Sequence, residues 1–204
     1  TIFVMRRQEG DVIALTDTDG DGVADSPEVN VVLSDLPYVH GIFIDGSQAY
    51  LATDTRVLVS SWTGGTSLGT PTPLISGLPD AGQHPNRTLA IGPDGLLYLT
   101  IGSNCNACVE PSPVAATMVR MNPDGSNLEL FAAGLRNTIG FGWHPVTGDL
   151  WGMDHGSDWR GDDQPPEELN RLVEGLNYGW PFCFADQQPD VFIPSPPPGG
   201  LGRE

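Results

Sequence analysis

Three segments of the chain repeat one alternation of apolar and polar positions. His40-Gly-Ile-Phe-Ile-Asp-Gly leads into Ala49-Tyr50-Leu51, and Thr88-Leu-Ala-Ile-Gly-Pro-Asp-Gly leads into Leu97-Tyr98-Leu99. Ile139-Gly-Phe-Gly-Trp-His-Pro leads into Asp149-Leu150-Trp151 in the same way. The apolar runs are too short for helices, and each ends at a turn: Asp45-Gly46, Pro93-Asp94-Gly95 and His144–Gly148. Runs of this length between Gly, Pro and Asp read as antiparallel strands joined by hairpins.

The aromatic residues Tyr50, Tyr98 and Trp151 stand 48 and 53 residues apart. A period of about 40–50 residues with four short strands in each is the pattern of propeller blades. Within each repeat the pattern predicts a first strand (41–44, 88–92, 139–143), a second (49–53, 96–101, 150–153) and a third (57–60, 117–121, 169–173). A weaker fourth strand is expected at 74–76 and 128–131. Ahead of the first repeat, Phe3–Arg6, Val12–Leu15 and Val31–Leu33 read as the strands of an incomplete blade.

The expectation is therefore an all-β chain, a partial β-propeller of about three blades in a single domain. Its parts are an incomplete blade over 1–37, blades over 38–80, 84–135 and 136–181, and a Pro/Gly-rich end over 182–204 without a fourth strand. Closed propellers have about 4–8 blades. The chain thus reads as the N-terminal half to two-thirds of a longer parent, and alone it is expected to be inactive.

Composition narrows the partners. The 26 Gly and 19 Pro among 204 residues suit a turn-rich β fold. A formal charge of −17 argues against nucleic acid or an anionic membrane surface, both of which need a basic face. No apolar run approaches the ~20 residues of a membrane helix, so no membrane insertion is expected. Cys105, Cys108 and Cys183 leave two readings open: a local Cys105–Cys108 disulfide, or three thiols. One C-x-x-C with a single distant Cys is a weak zinc signal.

Asp17-Thr-Asp19-Gly-Asp21-Gly-Val23-Ala-Asp25-Ser-Pro-Glu28 has oxygen donors at positions 1, 3, 5, 9 and 12, with Gly22 at position 6. Val23 would supply its carbonyl at position 7. This is the spacing of an EF-hand-type calcium loop, here flanked by strands. Five carboxylates in twelve residues repel one another unless a cation neutralises them, and that favours calcium over a solvated acidic turn.

Topology gathers further polar residues. In a blade the connection into the first strand and the connection from the second to the third share one end. Arg136 and Asn137 occupy an entry connection, His84 the equivalent place one blade earlier, and His40 one blade before that. Cys105–Cys108 and His155–Pro166 lie in second-to-third connections. Function on propellers gathers in such loops.

Several words in this region carry a resemblance. GLRN (Gly134–Asn137), DHGSDW (Asp154–Trp159), GDDQPPEELNR (Gly161–Arg171) and NYGWPFC (Asn177–Cys183) resemble the glucose/sorbosone dehydrogenase family, soluble quinoproteins on a six-bladed β-propeller. They look closer to its sorbosone branch. The resemblance implies a periplasmic or secreted enzyme that uses pyrroloquinoline quinone (PQQ) and calcium to oxidise a sugar, with a quinone or cytochrome as electron acceptor. The segment HPNRTLAIGPDGLLYLTIGS maps His84 onto the family's catalytic base. Arg136 maps onto the arginine beside the reacting quinone carbonyl, with Asn137 a hydrogen-bonding neighbour. The carbonyls of Gly156 and Ser157 map onto the ligands of the cofactor's calcium; the glucose branch has Pro where this chain has Ser157. The family's basic residues that pair with PQQ carboxylates come mostly from later blades. The rival expectation is a non-catalytic, calcium-stabilised binding propeller, since fold alone does not fix function.

Overall fold

Strand alternation becomes structure wherever one face of a run can be covered. The structure, a computed structural model, describes residues 1–80 and 82–193. The stretch from 194, about half of the Pro/Gly-rich end, lies outside the described residues. The chain divides into two compact units, Thr1–Leu78 and Pro79–Glu204.

The first unit holds two antiparallel sheets. One has β1 (Ile2–Arg6), β2 (Asp11–Leu15) and β3 (Val29–Leu33) in that order. The other is a four-stranded meander of β4 (Gly41–Asp45), β5 (Gln48–Ala52), β6 (Arg56–Ser61) and β7 (Thr72–Ser76). Val12, Leu36, Val39, Leu51 and Leu58 form its buried core. The acidic loop joins β2 to β3 and closes with a 3-10 turn at Ser26–Glu28.

The second unit repeats the plan. A four-stranded meander contains β8 (Leu89–Ile91), β9 (Leu97–Ile101), β10 (Thr117–Met121) and β11 (Glu129–Ala133). A three-stranded sheet follows, with β12 (Thr138–Trp143), β13 (Leu150–Asp154) and β14 (Glu168–Leu172). A short hairpin, β15 (Cys183–Phe184) with β16 (Gln188–Pro189), comes after it and pairs with neither sheet. Every residue of β9 is buried, because neighbouring side chains cover both of its faces.

Tyr98 of β9 joins the two larger sheets. Its ring meets Phe131 of its own sheet and Trp143 of the next edge-on, each at a centroid distance of 5.2 Å. Edge-to-face pairs of this kind add to plain area burial. The weak fourth strands run further than the pattern predicts: β7 begins at Thr72 and β11 extends to Ala133. Both are edge strands with exposed polar positions, so alternation marks them poorly.

The edge of β11 is closed by a segment with no strand pattern. Gly175 N–H donates to the Phe131 carbonyl (2.8 Å), Ala133 N–H to Leu176 (3.0 Å) and Tyr178 N–H to Ala133 (2.8 Å). Gly134 makes the approach possible. Its φ is +69°, and a Cβ there would lie 2.2 Å from Asn177 Oδ1 and 2.6 Å from the Gly179 nitrogen. A left-handed backbone and a crowded position both require glycine.

Gly134→Ala is expected to destabilise the protein by at least about 1–3 kcal/mol, the ordinary cost of a strained backbone conformation. Urea unfolding measures it. Gly140→Ala is the control, since a Cβ at Gly140 meets open space; it should change stability by less than about 0.5 kcal/mol.

Candidate functional site

Four connections at one end of the second unit's sheets carry the polar residues. His84 precedes β8, 102–116 joins β9 to β10, Arg136 and Asn137 precede β12, and 155–167 joins β13 to β14. Backbone hydrogen bonds stitch them together: Ser103 N–H donates to the Arg136 carbonyl (2.8 Å) and His155 N–H to that of Asn137 (3.1 Å). Gly102 lies between His84 and Asn137. A Cβ there would be 2.6 Å from His84 Cβ and 3.1 Å from Asn137 Oδ1, so only glycine lets the two approach.

The half-buried His84 has a defined tautomer. Its Nδ1 lies 2.9 Å from the Ser103 carbonyl and 2.7 Å from Ser103 Oγ, which donates its own hydrogen to the Cys105 carbonyl (2.9 Å). A carbonyl can only accept, so Nδ1 carries the hydrogen and Nε2 is the basic nitrogen. Burial holds the ring below the usual imidazole value, helped by the nearby Arg136 and His155. The Ser103 carbonyl and the Asp158 carboxylate act in the opposite sense.

Arg136 is buried, at 3 % exposure, with its guanidinium oriented by two loops. Nε donates to the Asn106 carbonyl (2.9 Å), Nη2 to Asn106 Oδ1 (2.9 Å) and Nη1 to the His155 carbonyl (3.1 Å). The Asp158 carboxylate is 3.5 Å from Nη2. Asn106 sits within the Cys105–Cys108 disulfide loop, which resolves the open cysteine question for those two. Cys183 is buried outside that bridge.

Asp154 holds the backbone beneath. Its carboxylate accepts from Arg136 N–H (2.9 Å), Asn137 N–H (2.8 Å) and the Thr138 hydroxyl (3.0 Å). Burial pushes this carboxyl up to about 7, against those three donors, which favour the charged form. Ser103, Asn106 and Asp154 are the supporting residues that sequence reasoning did not single out. The available signal was weak: Asp154 opens the DHGSDW word, and Ser103 and Asn106 flank Cys105.

Gly156 is packed so tightly on Pro165 that a Cβ would lie 2.5 Å from Pro165 Cγ, which fixes the peptide that follows. Among the described residues none donates to the carbonyl oxygens of Gly156 or Ser157, so both are available to a cation. A cavity of ≈ 20 Å³ adjoins Arg136, Gly156, Ser157 and Trp180. Trp180 Nε1 is buried there with no hydrogen-bond partner among the described residues. That volume suits one water and excludes anything larger. The donor set suits an anionic quinone with its cation: a fixed guanidinium, a basic imidazole nitrogen and two available carbonyls.

In the first unit, the carboxylates of Asp17, Asp19 and Asp21 converge to within 4.8 Å of one another. Asp25 and Glu28 stand outside that group. Glu28 instead accepts from the Thr18 N–H and hydroxyl and from Asp25 N–H, bracing the loop from below. Val23 is exposed at the loop tip. His144, as its turn position implies, caps its own hairpin by accepting from Val146 and Thr147 N–H.

Comparison with known proteins places this geometry in context. The family model described as Glucose / Sorbosone dehydrogenase matches residues 42–191. The chain is 28 % identical over 207 residues to a pyrroloquinoline quinone-dependent sugar dehydrogenase of Hypocrea jecorina, covering 84 % of this chain and 48 % of that protein. It is 26 % identical over 179 residues to quinoprotein glucose dehydrogenase B of Acinetobacter calcoaceticus, covering 71 % and 36 %. Among solved structures, the holo form of the pyranose dehydrogenase PQQ domain of Coprinopsis cinerea aligns with a TM-score of 0.73 at 20 % identity, covering 89 % of this chain and 51 % of that one. The fold is all-β and that of a partial β-propeller. The chain spans less than half the length of the curated relatives it matches.

The His84 imidazole is expected to titrate below 6.5, as followed by NMR of its ring protons. The sign follows from linkage: the unfolded chain takes the proton first. The stability tied to neutral His84 is therefore present above pH 6.5 and lost as pH falls from there towards the folded value. A ring that titrates above 6.5 would contradict the dominance of burial over the Ser103 hydrogen bond.

Proposed function

The chain belongs to the glucose/sorbosone dehydrogenase family, and on that premise we propose that the whole protein is a PQQ- and calcium-dependent sugar dehydrogenase. The substrate is an aldose or a sorbosone-type aldehyde sugar, the electron acceptor a quinone or cytochrome, and the location periplasmic or secreted. The observation that carries the reading is the His84 ring, fixed by Ser103 with its Nε2 basic and set across Gly102 from the Arg136–Asn137 turn.

PQQ, when bound, supplies a two-electron acceptor for the hydride that leaves the sugar carbon. The chain's own residues do the rest. His84 Nε2 takes the proton of the substrate hydroxyl, and burial keeps the ring neutral and ready for it. The Arg136 cation, already aligned by Asn106, stabilises negative charge on an oxygen brought beside it without reorganising. Asn137 offers its amide to the same ligand. The Gly156 and Ser157 carbonyls hold the calcium that neutralises the cofactor's acidic groups, and Asp154 fixes the turn carrying Arg136 and Asn137. No helix among the described residues is long and apolar enough to cross a membrane.

The acidic loop is read as a separate, structural calcium site. Asp17 already folds the loop by accepting from Gly20 and Gly22 N–H (2.7 and 3.0 Å), which brings Asp19 and Asp21 alongside. Calcium there lowers the repulsion of the cluster; Asp25 and the Val23 carbonyl complete its shell, and Glu28 closes the loop. In the cofactor-free protein, a chelator should lower the melting temperature of the wild type and leave Asp19→Ala/Asp21→Ala unaffected. Equal shifts in both would reduce the loop to an acidic turn.

The enzymatic reading is tested by loading the full-length protein with PQQ and calcium and following sugar-dependent dye reduction. His84→Ala is expected to lower kcat by about 10²–10⁴-fold, the usual share of a general base, with cofactor affinity nearly unchanged. The acid limb of kcat/KM should fall below pH 6.5. Cofactor binding without sugar oxidation in the wild type would return the protein to the class of binding propellers.

A further inference from the structure

The loop from β13 to β14 presents one large apolar side chain to solvent between two anchored neighbours. Trp159 is 83 % exposed and has a φ of +68°, a backbone region that bulky residues rarely enter. Nothing in the packing of the fold requires an indole there. We propose that Trp159 is the platform on which the substrate sugar ring stacks; the proposal rests on the dehydrogenase reading and assigns this side chain the recognition of an uncharged carbohydrate.

Both flanking residues are fixed. Asp158 donates its N–H to Asn106 Oδ1 (2.7 Å) and accepts at its carbonyl from Asn106 Nδ2 (3.1 Å). The same Asn106 orients the Arg136 guanidinium, and the Asp158 carboxylate lies 3.5 Å from Arg136 Nη2. Trp159 thus follows directly the residue whose carboxylate lies beside the Arg136 guanidinium. On the other side, Arg160 is paired with Asp190, both side chains nearly buried. Its guanidinium lies 5.2 Å above the Phe184 ring and 4.4 Å from that of Phe192. An exposed ring on a backbone held at both ends loses little freedom when a ligand lands on it, which is the condition for efficient recognition.

The surroundings select the ligand class. Asp158, Asp162, Asp163 and Glu167 are exposed along the same loop. Carboxylates accept hydrogen bonds from hydroxyl groups and repel anions. A flat aromatic face beside a rim of acceptors complements a neutral polyhydroxylated ring: its C–H groups face the negative face of the indole and its hydroxyls meet the carboxylates. The four exposed carboxylates disfavour an anionic ligand along this loop.

The test separates this assignment from the dehydrogenase reading. In the cofactor-free full-length protein, D-glucose and sorbosone should change the tryptophan emission of the wild type and leave that of Trp159→Phe unchanged. After loading with PQQ and calcium, Trp159→Ala should raise the sugar KM about tenfold, the scale of a lost aromatic contact, with kcat nearly constant. Trp159→Phe should recover most of that loss, and the melting temperature should not move in either variant. The proposal is overturned if Trp159→Ala leaves both the sugar KM and the emission response as in the wild type. It is also overturned if the KM of the dye acceptor rises instead, which would assign the indole to the acceptor. A wild type that gives the Trp159-dependent emission change yet oxidises neither sugar would uphold the platform and remove the dehydrogenase reading.

Discussion

A carboxylate can be taken out of water only where donors replace the water, and Asp154 finds three at the end of β13. The N–H groups of Arg136 and Asn137 would otherwise be unpaired at the start of β12, and the Thr138 hydroxyl beside them completes the set. One buried side chain thus settles the path of the chain between two strands. From it follow the emergence of the Arg136 side chain towards Asn106, the place of the Asn137 carbonyl under His155 N–H, and the seating of Ser103 on the Arg136 carbonyl. Remove the acceptor, and the two N–H groups and the hydroxyl lose their partner together.

The site is built as layers of loop, each leaning on the next. The Cys105–Cys108 bridge confines the segment that orients both His84, through Ser103, and Arg136, through Asn106. A proton-accepting ring and a cation would repel if the ring were charged. Burial and the nearby guanidinium act together to keep it neutral, so the electrostatics of the pair and the chemistry asked of it agree.

Much of the fold was legible because blade structure is local. Alternation at 41–44, 96–101 and 150–153, closed by Asp-Gly and related turns, marks strands whose bounds match β4, β9 and β13 to within one residue. The edge strands are read short for different reasons: β7 begins at exposed Thr72 and Pro73, which carry no apolar period, while β11 runs on through Ala132 and Ala133, small residues with weak strand preference. The segment at Gly175–Tyr178 was missed entirely: Asn-Tyr-Gly has no strand signature, and its pairing with β11 exists only in three dimensions. Among the site residues, topology brought His84, Arg136 and Asn137 into one neighbourhood. Ser103, Asn106 and Asp154 are ordinary polar residues in the sequence, and their partners are 17 to 30 residues away. The acidic loop shows the reverse case. Its spacing was plain, but Glu28 serves Thr18 and Asp25, a choice that depends on the 3-10 turn beneath it.

The backbone seam between β11 and residues 175–178 bears on how the second unit comes apart. In arrays of similar sheets, neighbours often open one at a time, because only side chains join them. Here the chain leaving β14 returns to hydrogen-bond with the preceding sheet, and Gly134 and Gly179 lie in contact at the crossing. The four-stranded sheet and the chain leaving the three-stranded one are therefore joined by main chain as well as by Tyr98 and Trp143, so separating the two sheets breaks backbone hydrogen bonds as well as side-chain contacts. The loops that carry His84, Arg136 and Trp159 consequently belong to one cooperative block.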